Sequence, residues 1–411
     1  MPDVSFSGLL IVAGIAFLAP LLLGLAPRVR LPAVVVEIVA GIIVGPSVLG
    51  WVHLDQPIRI LSVIGLALLL FLGGLEVEID RLRGRLLRLS LLGLAISLVL
   101  GVAIGWGLKL ADLGESPLFL AIVLSATSLG LVIPLLKDAG RTTSEFGQLT
   151  IGASSVADFG AVILLSLFFS EGASAGATLV LLLSFVLLVT VIGLAVARAG
   201  RSMRIANVLL EQQDTTAELR IRGAVLLLLI FLFLAQRLGL EVILAAFIAG
   251  AVLKLLDRDV MMTHPNFHLK LEAIGFGLFI PVFFVSSGVS FDLKALFANP
   301  SAILRIPLFL AALLVVRGIP AWLYRPVIGT RSSAVAALLQ ATSLPFIVAA
   351  TQIGIQLGTI DRVTGAALVA AGLLSVLIFP ALALTLLARS DQPASANLGD
   401  QDQLVSKEAQ E

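Results

Sequence analysis

The chain of 411 residues has no cysteine, three histidines, three tryptophans and one tyrosine, and only 13% of it is charged. Without cysteine there are no disulfides, no thiol nucleophile and no thiolate metal ligands. Three histidines also leave little from which to build a zinc site. Soluble domains carry about 25% charged residues. Charge this sparse therefore excludes a water-soluble enzyme, a nucleic-acid binder and a disordered scaffold. The formal net charge of +1 supplies no bulk field for an acidic partner. A Gly-x-x-x-x-Gly-Lys phosphate loop is absent too, which argues against a pump driven by nucleotide hydrolysis. What fills the chain is apolar: 59% of it is hydrophobic. The composition predicts an all-α polytopic membrane protein that is not an enzyme and has no cofactor.

Each crossing needs roughly 17–25 mostly apolar residues. Charged or Pro/Gly-marked breaks divide the chain into thirteen such stretches: 7–26, 32–50, 58–75, 86–109, 116–138, 145–168, 177–198, 217–236, 239–256, 272–289, 302–324, 332–357 and 362–388. Barrel strands would be about 10 residues long with alternating polarity, so these stretches read as helices. The opening Met-Pro-Asp-Val-Ser has no basic segment, and the first apolar run is expected to be a span, not a cleaved signal.

An odd number of spans puts the termini on opposite sides. Of the 27 Lys and Arg residues, Arg59, Lys109, Arg237, Lys294 and Arg362 fall on one side, and Arg305 and Arg317 lie inside the eleventh span. The other twenty fall on the opposite side. The positive-inside rule then predicts a cell-membrane protein with its N-terminus outside and its C-terminus cytoplasmic. Residues 1–389 read as the transmembrane domain and residues 390–411, rich in Asp, Gln and Glu, as a disordered cytoplasmic tail. No connecting loop is long enough for a soluble domain, so any regulatory or nucleotide-hydrolysing domain would have to be another chain.

Internal repetition is legible. Ala126-Thr-Ser-Leu129 recurs as Ala341-Thr-Ser-Leu344, Val39-Ala-Gly41 resembles Ile248-Ala-Gly250, and Gly152-Ala153 recurs as Gly365-Ala366. Ile64-Gly65 matches Ile274-Gly275, and Asp80 matches Asp292, in the same order and at nearly the same offset. Thr127 lies in a span that starts outside, whereas Thr342 lies in one that starts inside. Repeats over about 32–168 and 239–388 are therefore expected to be inverted, with the site at mid-membrane between discontinuous helices. The paired breaks are Ser125-Ala-Thr-Ser-Leu-Gly130 and Gln340-Ala-Thr-Ser-Leu-Pro345. Gly and Pro interrupt the helical ladder there, and the hydroxyls can satisfy the freed backbone groups.

An ionisable group near the bilayer centre costs about 2.5–3.5 kcal/mol even on lenient scales, so it needs a reason. Asp158 stands out, in Gly152-Ala-Ser-Ser-Val-Ala-Asp-Phe-Gly160. Its repeat counterpart is Ala371, so the repeated unit does not require it. A carboxylate so placed can hold a proton or a metal cation, but hardly both. Arg317, permanently charged, either snorkels to the inner surface, offsets the negative helix ends, or pairs with Asp158. Glu37 is expected to pair at the interface with Arg28 or Arg30, and Arg237 and Arg305 lie near span ends. His53, His264 and His268 are expected in solvated loops.

At these residues the chain resembles the monovalent cation:proton antiporter superfamily, in the branch of bacterial sodium/proton and potassium-efflux antiporters. The resemblance covers almost the whole chain. It rests on Glu37-Ile-Val-Ala-Gly-Ile-Ile-Val-Gly-Pro46 with Leu49-Gly50, on Phe71-Leu-Gly-Gly-Leu-Glu76, and on Pro281-Val-Phe-Phe-Val-Ser-Ser-Gly288. It implies a core with two crossed, unwound helices beside a dimerisation domain, and an elevator-like homodimer. Asp158 matches the ion-binding aspartate. Thr127 and Ser128 match the first crossing, Thr342 and Ser343 the second, and Arg317 the basic residue of the core. Ser155, in the Asp158 segment, joins the candidate ion ligands. Electrogenic members carry a second acid just before the aspartate, where this chain has Ala157. That departure favours electroneutral exchange of Na⁺ or K⁺ for H⁺. Two other classes stay open on the residues alone: a cation-selective channel or uniporter, and a sodium-coupled solute symporter.

Overall fold

The computed structural model of the chain describes residues 6–25, 32–76, 84–111, 116–169, 180, 218–238, 242–256, 267–298 and 300–388, and every regular element among them is a helix. In chain order these are α1 Phe6–Leu25, α2 Ala33–Val44, α3 Gln56–Glu76, α4 Gly84–Leu110, α5 Pro117–Ser125, α6 Leu129–Asp138 and α7 Glu145–Phe168. The second half continues with α8 Leu219–Leu238, α9 Val242–Leu256, α10 Phe267–Ile274, α11 Ile280–Val289 and α12 Leu293–Ala298. It closes with α13 Pro300–Ala321, α14 Arg325–Ala341, α15 Pro345–Gln356 and α16 Arg362–Ala388. Among the described residues eight helical stretches are long and apolar enough to cross a membrane, with shorter apolar helices at Ala33–Val44, Pro117–Ile133 and Val242–Lys254. All thirteen expected spans except the seventh, 177–198, coincide with helices; that one and the tail 390–411 lie outside the described residues.

Where helices end, the reason is local. The second span was expected to run to residue 50, but α2 stops at Val44. Proline disfavours helical conformation in the residue before it, and Gly45, preceding Pro46, is extended (φ −74°, ψ 176°). A π-turn at Gly275–Phe279 joins α10 to α11. Pro281 there has no N–H for the usual ladder and its ring crowds the preceding turn, and the wider turn absorbs that mismatch. His268, expected in a loop, belongs to α10 and contacts Glu272 at 3.0 Å. The i,i+4 spacing on one helix face explains the contact.

Packing between the halves carries the duplication. α2 packs along α11, and α3 along α9. The sequence match of Gly41 to Gly250 makes α9 the counterpart of α2, and the same offset makes α10–α11 the counterpart of α3. Exchanging the halves therefore turns one contact into the other, as an approximate two-fold axis requires. The glycines sit on these seams. A Cβ on Gly41 would run into the backbone of Val285, and one on Gly288 into the backbone of Ile38. Equally, a Cβ on Gly250 would meet Phe71, and one on Gly74 would meet Phe247. Small residues that let backbones touch are how helices associate without a hydrophobic driving force. The inverted repeat is thus built on two equivalent glycine seams.

Two helices break, and the breaks meet. Residues 126–128 separate α5 from α6, and residues 342–344 separate α14 from α15. The Ser128 N–H donates to the Thr342 carbonyl at 3.0 Å, so one unwound strand satisfies the other. α7 lies against this crossing and is the most enclosed of the long spans, with 61% of its apolar window buried against 17% for α1. That burial puts the polar middle of α7 inside the bundle.

Candidate functional site

Asp158 projects from α7 onto the first break. Its Oδ1 accepts the Thr127 N–H at 3.0 Å and its Oδ2 the Leu129 N–H at 2.9 Å. Leu129 opens α6, so the carboxylate sits at a helix N-terminus, where unsatisfied N–H groups and the helix dipole favour negative charge. Among the described residues no Lys, Arg or His forms an ion pair with it. Among the described residues its hydrogen bonds come from the backbone alone.

Behind the break stands Arg317 of α13, only 1% exposed. Its guanidinium is turned into the protein and does not snorkel. Nε donates to Thr127 Oγ1 at 2.9 Å, and the two terminal nitrogens to Ser97 Oγ at 3.2 Å and Gln340 Oε1 at 3.3 Å. Thr127 Oγ1 in turn donates to the Gln340 carbonyl at 2.8 Å. One arginine thereby ties α4, α13, the first break and the helix leading to the second. It also acts on Asp158 through space, with Thr127 between them. Such a fork needs a planar, multidentate donor, which lysine is not.

In front of the break is a cavity of about 110 Å³, room for a cation with several waters. Thr127, Ser128, Ser155 and Asp158 all line it, with Glu76 from α3 and Pro345 and Phe346 from α15. Neither Ser128 nor Ser155 spends its hydroxyl on another described residue, whereas that of Thr127 is committed to Arg317 and Gln340. Thr342 and Ser343 do not line the cavity. The Thr342 hydroxyl donates to the Leu338 carbonyl at 3.1 Å, and the Ser343 backbone bonds Ser375. The second break therefore supplies structure to this site and no exposed hydroxyl. Among the described residues no three of His, Asp, Glu or Cys converge as a metal-ligand set.

Two residues of this network escaped the sequence reading. Ser97 lies mid-way along an apolar helix, with nothing in the sequence to single it out. Gln340 borders the second break, and its position was the available signal. Glu37, expected at an interface, is buried on α2, and Arg28 and Arg30 lie outside the described residues. Arg305 bonds Thr364 Oγ1 at 2.6 Å and approaches Asp361 at 3.8 Å near a helix end.

An enclosed carboxylate facing two crossed, broken helices in an inverted repeat defines the class of polytopic helical membrane proteins to which secondary transporters belong. Comparison with known proteins gives the family. The profile described as "Sodium/hydrogen exchanger, transmembrane" matches residues 13–388, and the chain belongs to that family, within the monovalent cation:proton antiporter superfamily. It is 29% identical to YjbQ of Bacillus subtilis over 410 residues, 96% of this chain and 65% of that protein. The chain thus spans less than two thirds of the length of YjbQ. It is 30% identical to the Na(+)/H(+) antiporter of Enterococcus hirae over 273 residues, 64% of this chain and 68% of that protein. The solved structure of the sodium proton antiporter MjNhaP1 from Methanocaldococcus jannaschii shares the fold. Its TM-score is 0.64, at 20% identity over 92% of this chain and 97% of that one.

Proposed function

We propose that the chain exchanges a monovalent cation, Na⁺ or K⁺, for H⁺ by alternating access at Asp158. The observation that carries this reading is a carboxylate opening onto a cavity, stabilised by two backbone N–H groups and bound by no cationic side chain. Such a group is free to trade one positive charge for another. A proton neutralises it in one half-cycle. In the other, a cation sheds water to the carboxylate, to the Ser128 and Ser155 hydroxyls and to unwound carbonyls. Because proton and cation compete for the same oxygens, neither crosses without displacing the other, and that coupling separates a carrier from a pore. Arg317 holds the break in register, stays protonated and transports no proton. The cavity lining reaches Glu76 at the end of α3, the end of the bundle that the positive-inside reading makes cytoplasmic. The resemblance adds an elevator-like homodimer in the cell membrane, with residues 1–389 as the transporting domain.

The test is exchange in sealed liposomes with an imposed pH gradient, a lumenal pH dye, and Na⁺, K⁺ or Li⁺ added in turn. Asp158→Asn keeps the shape of the side chain and removes its charge. It is expected to abolish cation-dependent proton movement, while the purified protein still unfolds in a cooperative thermal transition, somewhat lowered because the amide can accept only one of the two backbone N–H groups. Wild-type rates in that variant would overturn the mechanism.

A further inference from the structure

The cavity at the crossing is lined by the last turns of α3, Leu72 and Gly73 among them, and so serves one face of the membrane. In an inverted repeat the helix equivalent to α3 stands in the same relation to the opposite face, and the glycine seams give its register. A Cβ on Gly250 would meet Phe71 as one on Gly41 would meet Val285, and one on Gly74 would meet Phe247 as one on Gly288 would meet Ile38. Phe71 thus corresponds to Val285 and Gly74 to Gly288, which makes Ser286 and Ser287 of α11 the counterparts of Leu72 and Gly73. Two positions without a polar side chain become hydroxyls. Both serines are buried. The Ser286 Oγ is wholly enclosed and has no hydrogen-bond partner among the described residues, a cost that native structures rarely carry without a reason. The Ser287 Oγ donates to the Phe283 carbonyl at 2.7 Å and accepts the Gln352 side-chain N–H at 3.2 Å. Gln352 belongs to α15, the helix that leads away from the second break. Neither α11 nor α15 contains a charged residue.

From this arrangement we infer that in the opposite-facing state the path to Asp158 opens between α11 and α15, with Ser286 and Ser287 lining it, and that the Gln352–Ser287 hydrogen bond is the contact that shuts it here. The inference rests on the exchange reading above and adds the residues of the second entrance. An equilibrium between two facing states shifts only by what the states bond differently. The Gln352–Ser287 bond is such a difference. It joins the helix beyond the second break to the helix on the opposing seam, so it lasts only while those two helices stay together. Parting them releases the Gln352 amide and the Ser287 hydroxyl to water and gives the Ser286 hydroxyl the partner it lacks. The oxygens exposed in this way are neutral. An ion path must be favourable enough to admit the ion and weak enough to release it, and hydroxyl and amide oxygens replace lost water without holding the cation as a carboxylate would. Gln352 is therefore a positioning residue, acting on the balance between the two facing states.

Because the chain has no cysteine, an introduced thiol reports on one position alone. Full-length Gly73→Cys and Ser286→Cys are placed in right-side-out and in inverted membrane vesicles and treated with a membrane-impermeant methanethiosulfonate, with labelling read by mass spectrometry. Gly73 has room for the change, since a Cβ there meets nothing closer than Phe247 at 3.9 Å. Gly73→Cys is expected to react from one face and Ser286→Cys only from the other. Gln352→Ala is then added to each. It is expected to speed labelling of Ser286→Cys about fivefold, the order of one lost hydrogen bond, without speeding that of Gly73→Cys. Ser287→Ala removes the same bond from its other end and should act alike. Reaction of both thiols from the same face, or no reaction of Ser286→Cys from either, would overturn the inference. So would unchanged rates in Gln352→Ala and Ser287→Ala, or faster labelling of both thiols, which is what a general loosening of the bundle would give. Cation-driven proton movement in the cysteine-free parent is measured alongside. If the parent shows none, the exchange reading fails on that result alone, and the labelling still decides whether a second entrance opens at Ser286.

Discussion

At the scale of single residues, the site separates a charge that is held from a charge that holds. Among the described residues Asp158 is bonded only by two backbone N–H groups, while Arg317 spends all three nitrogens on Thr127, Ser97 and Gln340. Removing the arginine strands three buried acceptors, each costing about 1–3 kcal/mol. Arg317→Ala is therefore expected to lower stability by several kcal/mol, read as a fall in the thermal transition of the detergent-solubilised protein. Arg317→Lys discriminates between roles. If the fork matters, the point-like ammonium fails to span three acceptors and the variant melts nearly as early as Arg317→Ala. If only the charge matters, it melts with the wild type. Of this arrangement the sequence showed the charges but not their partners. Asp158 and Arg317 are conspicuous because ionised side chains are rare in apolar helices. What stabilises Asp158 is the backbone of Thr127 and Leu129, and a backbone N–H looks the same at every position in a sequence. Ser97 was illegible for a related reason, since one serine in a long apolar helix has no pattern.

Among the elements, the breaks were the legible part. Ala-Thr-Ser-Leu followed by Gly or Pro, twice, marks places where a helix cannot continue, and both breaks fall within a residue or two of the expected positions. Helix ends set by a single proline were harder, as α2 stopping at Val44 illustrates, because apolar composition runs on past the break. The glycine seams belong at this scale. Gly41 and Gly250 were visible as a repeated tripeptide, yet their purpose appears only when α2 meets α11 and α9 meets α3. A methyl group on Gly250 would press on the backbone around Phe71, which cannot yield as a side-chain tip can. Overpacking of this kind costs typically about 1–3 kcal/mol. Gly250→Ala and Gly41→Ala should each lower the thermal transition, while Gly14→Ala, with open space around it, should not. Equal behaviour of all three would remove the seams from the account of helix association.

For the whole molecule, the question is how much charge one cycle moves. In the proposed cycle the carrier crosses once with a proton on Asp158 and once with a cation there, so the two crossings carry the same charge. The resemblance implies a second acid just before the aspartate in electrogenic members, and this chain has Ala157 there. Arg317, bonded on three sides, keeps its proton throughout. The expected exchange is therefore one for one and indifferent to membrane potential. The contrast with any other ratio is large. One net elementary charge per cycle is worth about 2.3 kcal/mol for each 100 mV, which shifts the equilibrium cation gradient by roughly fifty-fold. Liposomes clamped with K⁺ and valinomycin at zero and at −100 mV, with Na⁺ as the exchanged ion and a fixed pH difference, should reach the same Na⁺ ratio. A ratio that moves by tens of fold would mean that a second charge crosses with each proton, and Glu76 would then be the residue to test as its carrier.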